Sequence, residues 1–234
     1  MTSANKKDIQ KQRIMRIFID ATKEIAEEEG ISKITIRNVA DRAGYNSATI
    51  YNYFDNVESL IAFAMIDSVT EYLHSFAHIL SQDFDPIVAL LLSWRIYAEC
   101  SFKNPGAYAY VFNSEHTKDS LSRLETYFDI FPINEDSVNQ IVTDKDMIKR
   151  NQMLYAPCFE EGYFPKDKET YIIDFFYIVH GGFSNRLFNQ NIDSSAAVPL
   201  FLDYLIEFIE SHLIKKDFTV PTTQEILAMS YTRQ

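Results

Sequence analysis

The sequence predicts an all-α protein: a small N-terminal domain of three helices built around a helix-turn-helix, followed by a larger helical domain. Three observations carry the prediction. No alternation of apolar and polar residues persists long enough for a strand. Glycine and proline number only six and seven in 234 residues, and the first proline is Pro86, so nothing before it interrupts a helix. Apolar residues recur instead at the spacing of one face of an α-helix.

In chain order, Ile14, Ile17, Phe18, Ala21 and Ile25 form the first such face. It runs into the acidic residues Glu27, Glu28 and Glu29 and stops at Gly30, a residue suited to a helix C-cap. Carboxylates at that end oppose the helix dipole, a small local misfit. Thr35 is placed to N-cap a short helix to about Ala43. Gly44 makes a turn, and Asn46 or Ser47 caps a second short helix to about Phe54. Asp55 and Glu58 have the spacing of a capping box opening a long helix with Leu60, Ile61, Ala64 and Met65. Asp85-Pro86 and Asn104-Pro105 each read as an N-cap followed by proline at the first helical position. Gly162 closes another helix, and two long apolar helices follow over about 168–189 and 196–213. Residues 129–148 are polar and carry no assigned element.

Composition narrows the function. Two cysteines, Cys100 and Cys158, far apart and outside any CxxC, give no disulfide framework and suit a reducing, cytoplasmic setting. No apolar run reads as a leader or a membrane span. Net charge is −11, which by itself argues against a nucleic-acid partner. The charge is uneven, however. Residues 1–60 carry nine basic and nine acidic side chains, and the remaining 13 basic and 24 acidic ones lie beyond. Lys6, Lys7, Lys11, Arg13 and Arg16 make the front end locally basic. This tail reads as a solvated, disordered terminus, with phosphate or minor-groove contacts as the other reading.

A helix-turn-helix makes three demands, and residues 35–54 meet each one. A small residue must sit where the helices cross, and Ala40 does. The turn needs a residue tolerant of positive φ, and Gly44 supplies it. An apolar anchor must hold the second helix, and Ile50 is there. With Val39, Ala43 and Phe54 completing the core, Ser47, Ala48, Thr49, Tyr51 and Asn52 are left facing outward.

The run TIRNVADRAGYNSATIYNYFDNVESL resembles the DNA-binding domain of the tetracycline-repressor (TetR) family of transcription regulators. The resemblance rests on Thr35, Ile36, Val39, Ala40, Ala43, Gly44, Thr49, Ile50, Tyr51, Tyr53, Phe54, Glu58 and Leu60, and spans about residues 9–65 with the first helix. It implies a DNA-binding domain over residues 1–56 and an effector-binding, dimerisation domain over 57–234. It further implies that Tyr51 and Tyr53 donate phenolic hydroxyls to phosphates and that Thr35 bonds another. Arg37 then lies near the backbone or a base edge, and Ser47, Ala48, Thr49 and Asn52 read the groove. Asn pairs best with adenine, and Ala or a Thr methyl suits the thymine methyl, so the expected operator is A·T-rich there. Val57 departs from the family, which usually carries a phosphate-contacting Lys at that position. Uncharged donors can position a protein on the duplex without adding formal charge, which answers the acidic composition.

A domain of this size reads a half-site, so a pseudo-palindromic duplex operator implies a homodimer. The last two apolar helices resemble the pair through which the family dimerises, with Ile178, Gly181, Gly182, Leu205, Phe208 and Ile209 as the expected interface. Paired glycines permit close approach of helix backbones. Family members also hold a small molecule between middle helices. The candidate pocket residues here are Trp94, Tyr97, Tyr108, Phe112, Tyr127, Tyr155, Phe159, Phe176 and His180. Such a lining suits a flat or amphipathic effector, and Glu99 is a possible counter-ion for a cationic one. The implied mechanism is repression relieved when the effector shifts the dimer away from the half-site spacing.

Two rival regulators stay open: a metal sensor using Glu71, His74 and His78, which share one helix face, and a regulator controlled by a partner protein. No phosphate-binding glycine loop, HExxH or GxSxG occurs, so neither a catalytic residue nor a cofactor is expected.

Overall fold

The computed structural model describes residues 3–132, 147–189 and 192–230. Most of the unassigned segment 129–148 lies outside the described residues. Among the described residues the regular elements are helices, and no strand occurs. They divide into two compact units, Met1–Thr70 with Gly106–Asn139 and Glu71–Pro105 with Gln140–Gln234.

The first unit begins with α1, Ser3–Glu29, so Lys6, Lys7, Lys11 and Arg13 lie on a helix rather than in a disordered tail. Its buried face is Met15, Phe18, Ile19, Ala21, Thr22 and Ile25. The expected face was turned slightly too far round: Ile17 is 39% exposed, and Met15 and Ile19 fill the core beside Phe18. Helix α2 spans Ile36–Ala43 and α3 spans Ser47–Ile50. Helix α4, Val57–Ser81, starts in this unit. Asn56, and not Asp55, caps it, its Oδ1 accepting from Ser59 N at 2.8 Å. Pro105–Phe112 (α6), Thr117–Ser122 (α7) and Leu124–Ile130 (α8) complete the unit. Phe63 of α4 lies edge-on to Phe54 at 5.6 Å and 5.9 Å from Tyr127, tying these helices into one apolar core.

The second unit is built on α5, Pro86–Lys103, whose N-cap Asp85 accepts from Ile87 N at 2.9 Å, with Pro86 at the first helical position. Helices α9 (Met147–Glu160), α10 (Glu169–Phe188) and α11 (Ser194–His212) surround it. After α9, Gly162 at φ 76 turns the chain. Trp94 is the hub: its ring lies 5.7 Å from Phe176 and 6.1 Å from Phe201, and its Nε1 donates to the Tyr155 hydroxyl at 2.8 Å. Cys158 is fully buried, and burial pushes its thiol up to about 12.

A helix that the apolar pattern did not announce, α12 (Thr223–Ala228), is the last among the described residues. Its start is a complete Thr222/Glu225 capping box. Its end is held by Arg95, whose Nη1 donates to the carbonyls of Ile226 at 2.7 Å and Met229 at 2.9 Å. The last carbonyls of a helix lack full intrahelical partners, and Ile226 O otherwise accepts from Met229 N at a long 3.3 Å, so the half-buried Arg95 cation serves both hydrogen bonding and the dipole.

His180 is 8% exposed, shares a 2.8 Å hydrogen bond between Nε2 and Ser101 Oγ, and stacks on Phe102. Burial holds its imidazole down to about 4. An unfolded histidine takes its proton near 6.5, so between these values the unfolded chain binds the extra proton. Stability of the second unit is therefore full above pH 6.5 and falls as pH drops toward 4, by up to about 3 kcal/mol. Urea denaturation across that range should show the slope, and His180→Gln, which keeps an acceptor for Ser101, should flatten it.

Candidate nucleic-acid interface

The outward turn of the first unit is set by local chemistry. Thr35, extended at φ −136, accepts from Asn38 N at 3.1 Å through Oγ1 and so caps α2. That bond uses a lone pair and leaves the Thr35 hydroxyl proton free to donate. At the other end Gly44 adopts φ 73 and ψ 29, and Tyr45 N returns to Ala40 O at 2.9 Å, closing the helix in a left-handed C-cap. Asn46 then caps α3 by accepting from Thr49 N at 3.0 Å. The α3 helix proper is four residues long, shorter than expected. The backbone nonetheless keeps turning, with Asn52 N to Thr49 O at 3.2 Å, Tyr53 N to Ile50 O at 2.9 Å and Phe54 N to Ile50 O at 3.0 Å.

Packing fixes which side chains face out. Ile50 is 0% exposed and Phe54 is 3% exposed. Tyr45 and Tyr53 rest on the buried Phe18 of α1, at 5.2 Å edge-on and 6.0 Å tilted, with both rings partly open to solvent. Tyr51 is 58% exposed. Thr35, Arg37, Ala48 and Asn52 are exposed, and Ser47, Thr49 and Tyr53 are half-buried. All eight residues therefore reach solvent on one short stretch of chain.

Their hydrogen-bonding capacity differs. The Thr49 hydroxyl donates to Asn46 Oδ1 at 3.0 Å, so its proton is committed and its methyl is its distinctive feature. Arg37 pairs only loosely with Asp41, at 3.8 Å between two exposed groups. Arg42, in the last turn of α2, is drawn the other way. Its guanidinium lies 2.6 Å from Glu28, 3.4 Å from Glu29 and 3.7 Å from Glu24. This cluster answers the dipole misfit read at the end of α1, a role for Arg42 that no linear motif announced. Val57 is half-buried at the first turn of α4.

The expected effector residues fall in both units. Tyr108 and Phe112, 5.8 Å apart, and Tyr127 belong to the first, where the Tyr127 hydroxyl is committed to Asp67. In the second, Trp94, Tyr97, Phe176 and His180 form one ring cluster with Tyr155 against Phe176, and Phe159 packs on Phe164. Glu99 already accepts from Arg95 Nε at 2.8 Å. A groove of about 470 Å³ lies elsewhere, lined by Gln12, Arg13, Arg16, Ile17 and Phe131.

Of the expected interface residues, Ile178 is 71% exposed and Gly181 and Gly182 are exposed. Leu205 and Ile209 are 0% exposed and Phe208 is 7% exposed, stacked on Phe175. These three are core of the single chain, because α11 turns them onto α10 and α5. The large apolar side chains open on these helices are Tyr171, Tyr177, Ile178, Phe188 and Tyr204. Among the described residues no group of three or more His, Cys, Asp or Glu side chains is placed to hold a metal ion, so Glu71, His74 and His78 do not converge. Nor is any helix there long and apolar enough to cross a membrane.

Residues 18–62 match the family described as bacterial regulatory proteins, tetR family. No curated protein matches the chain. Among solved structures, a TetR transcription regulator from Haloarcula marismortui ATCC 43049 is similar at TM-score 0.58 and 18% identity, covering 86% of this chain and 98% of that one. SmeT, the repressor of the Stenotrophomonas maltophilia multidrug efflux pump SmeDEF, is similar at TM-score 0.53 and 12% identity over 89% of this chain and 95% of its own. Its complex with triclosan gives TM-score 0.53 and 14% identity over 90% and 97%.

Gly44 has open space where a Cβ would stand, so substitution there meets backbone strain alone. Gly44→Ala should cost about 1–2 kcal/mol in urea denaturation, the penalty of a left-handed alanine.

Proposed function

We propose that the chain is a helix-turn-helix regulator of the tetR family, a repressor that binds a pseudo-palindromic duplex operator as a homodimer and leaves it when a small molecule binds, a reading supported by the family match over residues 18–62. The observation that carries the reading is the display of unspent donors on a rigidly capped turn: the Thr35 hydroxyl, the exposed Tyr51 phenol and the Asn52 amide. In this reading Thr35, Tyr51 and Tyr53 bond phosphates and Arg37 lies along the backbone. Ala48, Thr49 and Asn52 meet base edges with Ser47, and an A·T-rich half-site suits them. Residues 1–56 are then the reading domain and 57–234 the effector-binding and dimerisation domain.

The homodimer is assigned to the exposed side of α10, with Ile178, Gly181 and Gly182, extended by the exposed Phe188 and Tyr204. The effector is a flat or amphipathic molecule held among the aromatic side chains of the second unit, in keeping with the aromatic triclosan bound by the similarly folded SmeT. A compound panel in thermal shift identifies it, since a molecule that binds only the folded state raises the melting temperature. A regulator controlled by a partner protein gains nothing from any compound.

Selection of duplexes from a random pool, followed by fluorescence anisotropy, tests the DNA reading. Failure to enrich any sequence sinks it. Val57→Lys should tighten binding and steepen the fall of log K with log salt by about 0.9 per new contact. Tyr51→Phe should weaken binding to all duplexes alike, and a loss confined to one base position would reassign Tyr51 to base reading.

The glycines test the dimer. A Cβ at Gly181 or Gly182 meets nothing within 4 Å in the single chain. Alanine there should therefore raise intrinsic helix stability by about 1 kcal/mol while weakening dimerisation in sedimentation equilibrium. Unchanged dimerisation would move the interface elsewhere.

A further inference from the structure

The helices of the first unit meet at one carboxylate. Asp67, midway along α4, has only 9% of its side chain exposed. Its Oδ1 accepts from Arg16 Nη1 and from the Tyr127 hydroxyl, and its Oδ2 accepts from Lys23 Nζ at 2.7 Å. Arg16 and Lys23 stand two turns apart on α1, and Tyr127 stands on α8. Two further contacts join α1 to the end of α8. The Arg16 guanidinium lies 4.2 Å over the Phe131 ring, and Gln12 Nε2 donates to Ile130 O at 2.6 Å.

Burial works against the charge of Asp67, but hydrogen bonds from Lys23 and Tyr127 and the charges of Lys23 and Arg16 prevail, so the carboxyl titrates below its ordinary value. Burial and the adjacent carboxylate push the Tyr127 phenol well above its ordinary value, so it stays a donor. Networks of this kind add little net stability over well-packed apolar side chains, but they are satisfied in only one arrangement. Three donors from two helices reach one carboxylate of a third only when α1, α4 and α8 hold this register. The register matters at the reading turn, because Phe18, two residues from Arg16 on α1, is the platform under Tyr45 and Tyr53.

We propose that Asp67 and Tyr127 are positioning residues for DNA binding: their hydrogen bond locks α8 to α1 and α4 and thereby sets the reading turn, so that release of Tyr127 weakens the grip on DNA from a distance. The proposal rests on the DNA-binding reading above and names how that site is regulated. Tyr127 thus acts through α1 and touches no nucleotide itself.

Tyr127→Phe removes one hydroxyl and keeps the ring. It should weaken operator binding by about tenfold, the worth of one charge-assisted hydrogen bond. A second variant separates positioning from stability. Arg16→Met, Asp67→Leu and Tyr127→Phe together replace the buried part of the network with apolar side chains and leave Lys23, whose side chain is 28% exposed, to turn into solvent, which should return the melting temperature to near that of the wild type. Operator affinity should stay depressed by at least about tenfold in that variant; affinity that recovers with the melting temperature overturns the proposal. Hydrogen exchange on Tyr127→Phe gives an answer independent of DNA and of whether the triple variant folds. Amides of residues 36–54 should exchange faster while those of the second unit keep their wild-type rates. Unchanged exchange over 36–54 also overturns the lock. A wild-type chain that binds no duplex would remove the DNA-binding reading alone, with the exchange result still deciding the lock.

Discussion

A helix of one turn cannot hold itself. Closing the first turn fixes several residues for a single hydrogen bond, so α3, at four residues, owes its shape to its surroundings. The surroundings are few and specific. Gly44 turns the chain without steric cost, Asn46 satisfies the Thr49 amide, and Ile50 is sunk in the core with Phe54 behind it. Phe18 supports the two flanking tyrosines from below. The outward side chains are ordered because everything else in the stretch is committed inward. A site assembled this way inherits the position of α1, whose Phe18 lies against both tyrosines.

The same commitment resolves the charge problem. Arg42 is occupied by three carboxylates of α1, so it offers little to a polyanion. The surplus carboxylates lie beyond residue 60. At physiological salt their repulsion fades over about 8 Å, whereas a phenol or hydroxyl in contact with a phosphate acts at hydrogen-bond range. Affinity built from neutral donors depends less on counterion release than affinity built from lysines.

Legibility in the sequence followed the range of the interactions. The helix-turn-helix was readable because its determinants are local: caps, one positive φ, and an apolar anchor within twenty residues. The α1 face was read slightly rotated, since Ile14 and Ile17 look as apolar as Met15 and Ile19 and only packing chooses between them. Helix α12 was missed although Thr222 and Glu225 carry its capping signature, because no apolar periodicity accompanies so short an element. Asp67 was invisible for a different reason. Its partners lie 51, 44 and 60 positions away, and an aspartate in a helix announces none of them. On α10 and α11, apolar residues occur nearly all round, so Leu205 and Ile209 could not be told from Ile178 until the core claimed them. The aromatic candidates for a pocket lining carry the same ambiguity, as a ring that packs and a ring that binds are the same letter.

The burial of Cys158 carries a practical corollary. With its sulfur deep in the second unit, near Pro86 O and Leu154 O, it holds almost no thiolate at neutral pH. Alkylating reagents and peroxides therefore find it only when that unit opens. The rate at which this thiol becomes modified is a built-in clock for the opening of the second unit, requiring no introduced label.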